Sequence, residues 1–273
     1  MNNSISAVIL TLNEERNIVE CIKTLQTWCK DVVVYDSFST DRTVELAKSA
    51  GARVFQRKFD NYAAQRNAAL HEVDYPNEWV VMVDADERFD DKIGQLMTDA
   101  VGNPNYQDVQ IFHLQRKDIF LGQWMKHGIG SGTWFGRLLK HKFVTVERDI
   151  NEEYHCDGRK EYLTGERFLH YPFNNGVKWW ISRHNRYSDM EAVRLSAEKA
   201  EKLQFKKLFS KDPAERRKHQ KQLLYRLPGR PLLMFFVLYF LKLGFLDGRA
   251  GFHYAVLRSF YEYMIDLKIV ESK

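Results

Sequence analysis

The sequence predicts an α/β protein, with a mostly parallel sheet flanked by helices over about residues 1–180 and a helical C-terminal extension over 181–273. Three observations predict it. Extended apolar runs alternate with helical patterns through the first hundred residues, as β-α-β units require. Those runs are near-continuous in Val, Ile and Met rather than alternating, as in strands buried on both faces. Beyond about residue 180, apolar residues at helical spacing replace the strand texture.

The expected strands are Ile5–Leu10, Val32–Tyr35, Arg53–Phe55 and Trp79–Val83, with helices between them over about 14–28, 41–50, 60–73 and 91–101. Thr40-Asp41 reads as a cap for the second helix and Gly51 as its stop. From about 108 the texture turns to mixed aromatic, Gly and charged residues. Val109–Leu114, Arg137–Leu139 and Phe143–Val146 read as added strands, and Gly122–Gly132 as part of long loops of the kind that carry active sites. A long packing helix is expected over 182–209, with Met190, Val193, Ala197, Ala200, Leu203 and Leu208 along its stripe. Leu232–Leu246 is apolar except for Lys242; at about 15 residues it falls short of the roughly 20 needed to span a bilayer.

Composition bounds the function. The chain has 273 residues, 44% of them hydrophobic and 14% aromatic, enough for a sizeable core and too many for a disordered chain. Cys21, Cys29 and Cys156 form an odd set without CxxC or a histidine at zinc-finger spacing, so a disulfide scaffold and a Cys-based zinc site are excluded and a reducing, cytoplasmic compartment is expected. The N-terminus lacks the basic and apolar regions of a signal peptide. Nine Lys and Arg fall between Lys206 and Arg230 against two acidic residues, leaving 32 basic and 34 acidic residues elsewhere. The basicity is therefore a local patch beside an apolar run. It points to an anionic membrane surface and not to nucleic acid.

The sharpest chemical signal is Asp84-Ala85-Asp86 at the end of the run Val80–Val83. Carboxylates at the C-terminal edge of an open α/β sheet lie where ligands bind, and hard oxygen donors suit Mg²⁺ or Mn²⁺ bridging a diphosphate. The first strand runs into Thr11-Leu12-Asn13-Glu14-Glu15 and the second into Asp36-Ser37-Phe38-Ser39-Thr40-Asp41. Three strand ends thus bring acidic or amide groups to one edge, where Asn and Asp can bond a nucleobase and Asp84 a ribose hydroxyl. Arg66, within Gln65-Arg66-Asn67, carries forked donors suited to a phosphate or a base carbonyl.

In order, Val8–Glu15, Asp36–Thr43, Gln65–Asn67 and Asp84–Asp86 resemble glycosyltransferase family 2, whose members have the GT-A fold and use nucleotide-diphosphate sugars. Later segments, His170-Tyr171, His184–Ser188, Leu227–Pro231 and Gly244–Gly251, are similar to bacterial lipopolysaccharide-core or related cell-surface glycan glucosyltransferases. The resemblance implies that Thr11, Asn13, Glu14, Asp36, Arg66 and Asp84 line the nucleotide-sugar site, that Asp86 ligates the metal, and that Glu152 is the catalytic base. Where the subgroup has a His-Glu pair, this chain reads Asn151-Glu152, and the adjacent Glu153 competes for the role. His170 is a candidate further metal ligand.

The expected activity is inverting, metal-dependent transfer from a UDP-sugar to a hydroxyl of a glycan or lipid-linked glycan acceptor. The cofactor would be Mn²⁺ or Mg²⁺, and the enzyme would be peripheral on the cytoplasmic face of the inner membrane, with a homo-oligomer as the other use of the C-terminal helices. Two alternatives remain at this point: a sugar-nucleotide nucleotidyltransferase, although Leu12–Asn17 lacks the expected glycine, and a non-catalytic membrane scaffold. Trp124 and Trp134, flanking Gly128-x-Gly130-x-Gly132, are candidates for stacking on an acceptor sugar. That glycine series follows no clear strand and does not read as a dinucleotide fingerprint.

Overall fold

The computed structural model describes residues 4–128, 132–147, 153–199 and 229–272. The chain forms two compact units, Met1–Ile119 with Ser131–Asn175, and Phe120–Gly130 with Gly176–Lys273. The boundary near 180 thus falls at 175, and the helical unit also takes in the short segment 120–130, which no sequence signal assigned to it.

The first unit is built on strands β1 (Ile5–Thr11), β2 (Asp31–Asp36), β3 (Arg53–Gln56), β4 (Trp79–Asp84), β5 (Glu87–Arg88) and β6 (Val109–Phe120). After the two-residue β7 (Gln123–Trp124) of the other unit come β8 (Trp134–Lys140), β9 (Thr145–Glu147), β10 (Glu153–His155) and β11 (Arg159–His170). The main sheet runs β3-β2-β1-β4-β8-β6-β11-β5, and β9 and β10 form a separate hairpin. The first four strands are mutually parallel; β8 enters antiparallel to β4, and β6 antiparallel to β8. Two of the expected added strands, Val109–Leu114 in β6 and Arg137–Leu139 in β8, thus extend the sheet, whereas Phe143–Val146 falls at β9 of the hairpin.

Helices α1 (Ile18–Gln26), α2 (Thr43–Ser49), α3 (Tyr62–His71) and α4 (Asp91–Gly102) complete this unit. Successive strand residues serve opposite faces. Ile9, Val34 and Val83 meet Ile18, Ile22 and Leu25 of α1 and Ile93 and Met97 of α4, whereas Val8, Val33 and Met82 meet Ala68 and Leu70 of α3. Each such fully buried side chain contributes roughly 1.5–3 kcal/mol. The turn after α1 packs so closely on α4 that a Cβ on Gly94 would meet Trp28 Cγ at 2.3 Å, while the Trp28 indole donates to the Phe89 carbonyl at 2.9 Å. α2 starts at Thr43, two residues later than expected, and Asp41 accepts the Thr43 N–H from outside the helix. Gly51 ends the turn with φ 84°, as its lack of a Cβ permits.

The second unit contains α5 (Gly176–Lys199), α6 (Arg230–Phe236) and α7 (Gly248–Glu271). Leu232–Leu246 is not one helix: α6 passes into a π turn at Val237–Leu241, breaks at Leu243 (φ 57°), and resumes through a 3₁₀ turn at Gly244–Asp247. The two arms bend by 75°, and among the described residues no single helix is long and apolar enough to cross a membrane. The bend is locked by close backbone approach, since a Cβ on Gly251 would lie 1.9 Å from the Gly244 carbonyl oxygen. Buried Asp247 then fastens the 120–130 segment, accepting the backbone N–H groups of Lys126 and His127 at 3.1 and 2.9 Å.

Polarity along α5 departs from the expected stripe, and on α7 acidic groups turn inward. Along α5 the inward residues are Trp180, Ser188, Ala192 and Leu195, whereas Met190 and Val193, expected to pack, are exposed. The remainder of that expected stripe lies outside the described side chains. On α7 the acidic residues Glu262 and Asp266 turn toward Arg230, itself 1% exposed, with ion pairs of 3.1 and 3.0 Å. Phe252, Val256, Phe260 and Tyr263 remain exposed, as do Phe236, Leu241 and Leu246.

Candidate active site

In register, Thr11 of β1 pairs with Asp36 of β2, and Leu10 pairs with Asp84 of β4. The chain winds β1-β2-β3 to one side and then crosses to lay β4 on the other side of β1. The edge between β1 and β4 is therefore a switch point of the kind where open α/β sheets hold ligands.

The two loops at this edge are stitched to each other. Asn13, held at φ 57°, accepts the Thr40 N–H on its Oδ1 at 2.8 Å and donates its own N–H to Ser39 Oγ at 2.8 Å. The Glu14 N–H donates to Thr43 Oγ1 at 2.8 Å, and its carboxylate accepts from the amides of Asn17 and Asn175 at 2.7 and 3.2 Å. Asp36 is wholly buried, accepting from the Thr11 hydroxyl, the Ser39 N–H and the Gln56 amide at 2.8, 2.9 and 3.0 Å. The sequence-predicted convergence of these groups is present, but much of their hydrogen-bonding capacity goes to one another and makes a rigid wall.

Three consecutive residues of α3 then tie three segments together. Gln65 donates to Ser37 Oγ in the loop after β2 at 3.1 Å, Arg66 reaches Asp84 Oδ1 at 3.0 Å, and Asn67 makes two 2.8 Å bonds with the backbone of Val146 in β9. Asp84 Oδ2 is taken by Arg137 Nη2 at 2.8 Å, and the same nitrogen reaches Glu87 Oε1 at 2.6 Å. Glu87, wholly buried, accepts the Asp84 N–H at 3.1 Å and so fixes the turn that presents Asp86. Partial burial opposes charge on Asp84, but Arg137 and Arg66 hold its carboxyl well below its ordinary range. Burial pushes Glu87 up to about 7 against the pull of Arg137.

Asp86 faces a different partner. His170 Nε2 lies 3.5 Å from Asp86 Oδ2, and its Nδ1 bonds Asp118, which Arg116 pairs at 2.9 Å. Burial opposes charge on His170, but Asp86 and Asp118 outweigh it and hold the ring up to about 9. An imidazole oriented from behind by a carboxylate, with a second carboxylate in front, is the donor arrangement of many divalent-cation sites. The residues fit such an ion with Asp86 and His170 as ligands and Asp118 behind. Asp84, with both oxygens on guanidinium groups, is already engaged. Among the described residues no group of three or more His, Cys, Asp or Glu forms a cage, so water or a diphosphate would complete the coordination.

Sequence reasoning did not single out Arg137, Glu87 or Asp118. Arg137 carried a signal, a lone charge inside Trp134–Leu139, and it is the extra residue where β8 slips register against β6. Glu87 directly follows the Asp-x-Asp; Asp118 carried no local signal. Glu152 and Asn151 lie outside the described residues, while Glu153 opens β10. Trp134 belongs to the first unit and Trp124 to the second.

The model of the family described as Glycosyl transferase family 2 matches residues 6–183. The chain is a member of that family. The glycosyltransferase is 24% identical over 281 residues to an uncharacterised glycosyltransferase of Rickettsia conorii, covering 100% of this chain and 92% of that one. It is 37% identical over 102 residues to the lipopolysaccharide core biosynthesis glycosyltransferase LpsC of Rhizobium meliloti, covering 36% of this chain and 37% of the relative. Among solved structures, it matches glucosyl-3-phosphoglycerate synthase from Mycobacterium tuberculosis in complex with Mn²⁺, UDP and glucosyl-3-phosphoglycerate, with TM-score 0.33 and 23% identity. That match covers 44% of this chain and 45% of the synthase, so the chain spans less than half of it. The α/β sheet and the family match together establish the GT-A-like fold class and a glycosyltransferase, which removes the nucleotidyltransferase and scaffold alternatives.

Proposed function

We propose that this glycosyltransferase moves a sugar from a UDP-sugar, with inversion, to a hydroxyl of a lipopolysaccharide-core or similar lipid-linked glycan. The observation that carries the reading is the Asp86–His170–Asp118 series beside an Asp84 neutralised by two arginines. Bound Mn²⁺ or Mg²⁺ would offset the charge of the diphosphate leaving group. Thr11, Asn13, Glu14 and Asp36 form the wall for the nucleotide, and Asp84, locked by Arg66 and Arg137, meets the ribose. Glu152 takes the proton of the acceptor hydroxyl as its oxygen bonds the anomeric carbon and the carbon–diphosphate bond breaks, releasing UDP. Asn67 holds β9, which ends five residues before Glu152 in the chain.

The test is UDP release from a panel of UDP-sugars with and without Mn²⁺. Metal-dependent release with at least one donor is expected, and its absence from every donor overturns the reading. Glu152→Gln should retain UDP affinity while transfer falls by roughly 10²–10⁴, with Glu153→Gln milder. The reverse order would shift the base by one residue.

The reading includes an anionic membrane surface at the cytoplasmic face of the inner membrane. Its support is the inside-out polarity of the helical unit: Glu262 and Asp266 inward on Arg230, Phe236, Phe252 and Phe260 outward. Charged groups paired inside and apolar groups outside suit a lipid exterior. Full-length protein should float with anionic vesicles. Failure to float at low salt would reassign these helices to a homo-oligomer interface.

A further inference from the structure

The sheet face formed by β6, β8 and β11 carries an aromatic group that the donor and metal chemistry leaves unused. Tyr162 is 51% exposed, yet its ring is fixed: it stacks on His113 at 4.9 Å and 26°, and meets Trp134 edge-on at 5.1 Å and 79°. In register, Tyr162 and Gly136 both pair with His113, and Trp134 and Arg167 both pair with Gln115, so all six residues share one face. Gly136 is the floor, where an added Cβ would meet Tyr154 at 3.4 Å and His113 at 3.6 Å. Tyr154 belongs to β10, directly after the segment that bears Glu152. Trp134 precedes Arg137 by three residues on one strand, about 10 Å at the rise of a β-strand.

An exposed tyrosine held between two other rings is a preformed flat surface that loses little entropy when covered. Its rim is polar, with Gln115 and Arg167 on the same face. A pyranose matches both features: axial C–H bonds on one face meet the electron-rich face of a ring, and hydroxyls around its edge meet amide and guanidinium donors. We propose that the Trp134–Tyr162–His113 face is an acceptor subsite that binds one pyranose ring of the saccharide receiving the sugar. The inference rests on the glycosyltransfer reading above and adds the residues that hold the acceptor.

The experiment is saturation-transfer NMR on the full-length protein with the methyl glycosides of glucose, galactose and mannose, in the presence of Mg²⁺ and UDP. Ring C–H protons of at least one glycoside should receive saturation. Tyr162→Ala and Trp134→Ala should each reduce it at least threefold, with Tyr162→Phe close to wild type. Because Tyr162 is half exposed, Tyr162→Ala keeps its melting temperature and carries the test if Trp134→Ala does not fold. Saturation absent from all three glycosides, confined to the methyl group, or undiminished in Tyr162→Ala overturns the subsite. Calorimetric titration of the wild type with UDP separates the two ideas. UDP binding without glycoside saturation defeats the subsite alone, and loss of both defeats the donor reading as well.

Discussion

The molecule contains two clusters in which buried arginine meets carboxylates, and they differ in what they leave open. At the sheet edge, Arg137 and Arg66 hold Asp84 and Glu87, while Asp84 keeps about a third of its side chain exposed (35%) and the next carboxylate, Asp86, faces His170 instead of a guanidinium. In the helical unit, Arg230 meets Glu262 and Asp266, and Arg230 and Glu262 are 1% and 4% exposed. The same pairing chemistry therefore sets a turn around an accessible carboxylate in one place and closes a helix pair in the other. Removing one member of either should be costly, because a buried charge then lacks its partner. Only at the sheet edge should chemistry fail as well.

The largest effect is expected from Arg137→Met, which should lower stability by about 3–5 kcal/mol and abolish turnover. Arg230→Met should cost a similar amount but leave turnover per folded molecule intact. Denaturant melts paired with activity at low temperature check this, and equal loss of activity in both would break the comparison. Next, Asp86→Asn should reduce metal-dependent UDP release by roughly 10²-fold or more with an unchanged melt, and Asp118→Asn should weaken Mn²⁺ affinity by about 10–100-fold. A normal Mn²⁺ titration in both variants would exclude the Asp86–His170 pair as the ligand set.

A sharper distinction comes from replacing both partners of the helical pair. Arg230→Met with Glu262→Leu should be neutral or stabilising by about 1–4 kcal/mol in detergent, since apolar residues of similar volume avoid the desolvation cost. A loss close to that of Arg230→Met alone would mean that the pair specifies the bend.

The smallest effect concerns pH. Burial, with Arg258 and Arg183 nearby, lowers His184 to about 4, although the Trp180 carbonyl bond works the other way. Its folded value lies below its unfolded value near 6.5, so its stabilising contribution is complete above about 6.5 and is lost as pH falls toward 4. The loss should be on the order of 2 kcal/mol. His184→Gln should flatten thermal melts across that window, and an unchanged slope would refute the assignment.

Much of the edge was legible in the chain. The buried runs ending at Thr11, Asp36 and Asp84 announced a parallel sheet whose strand ends converge, because period and composition are local properties. The Gln65-Arg66-Asn67 segment was visible too, though not that each residue clamps a different element. Arg137 and Asp118 were not found, since each matters through a partner on another strand, Asp84 in β4 and His170 in β11. In the helices, periodicity located α5. It misassigned the α5 stripe, because Met190, Val193, Ala192 and Leu195 all lie within one and a half turns and only packing against neighbours selects among them.

The sequence by itself determined the fold class, the family resemblance and the carboxylate that ends β4, for these rest on residue type, order and spacing. The tertiary structure decided which of those polar groups face outward. A side chain with several available partners bonds whichever the fold brings within about 3 Å. Asp36 was thereby turned inward onto Thr11, Asp84 was locked between two arginines, and Asp86 was left facing His170. It also decided that Glu262 lies inside and Phe260 outside, because Arg230, 32 residues earlier in the chain, donates to the Glu262 carbonyl, and no reading of α7 alone contains that residue.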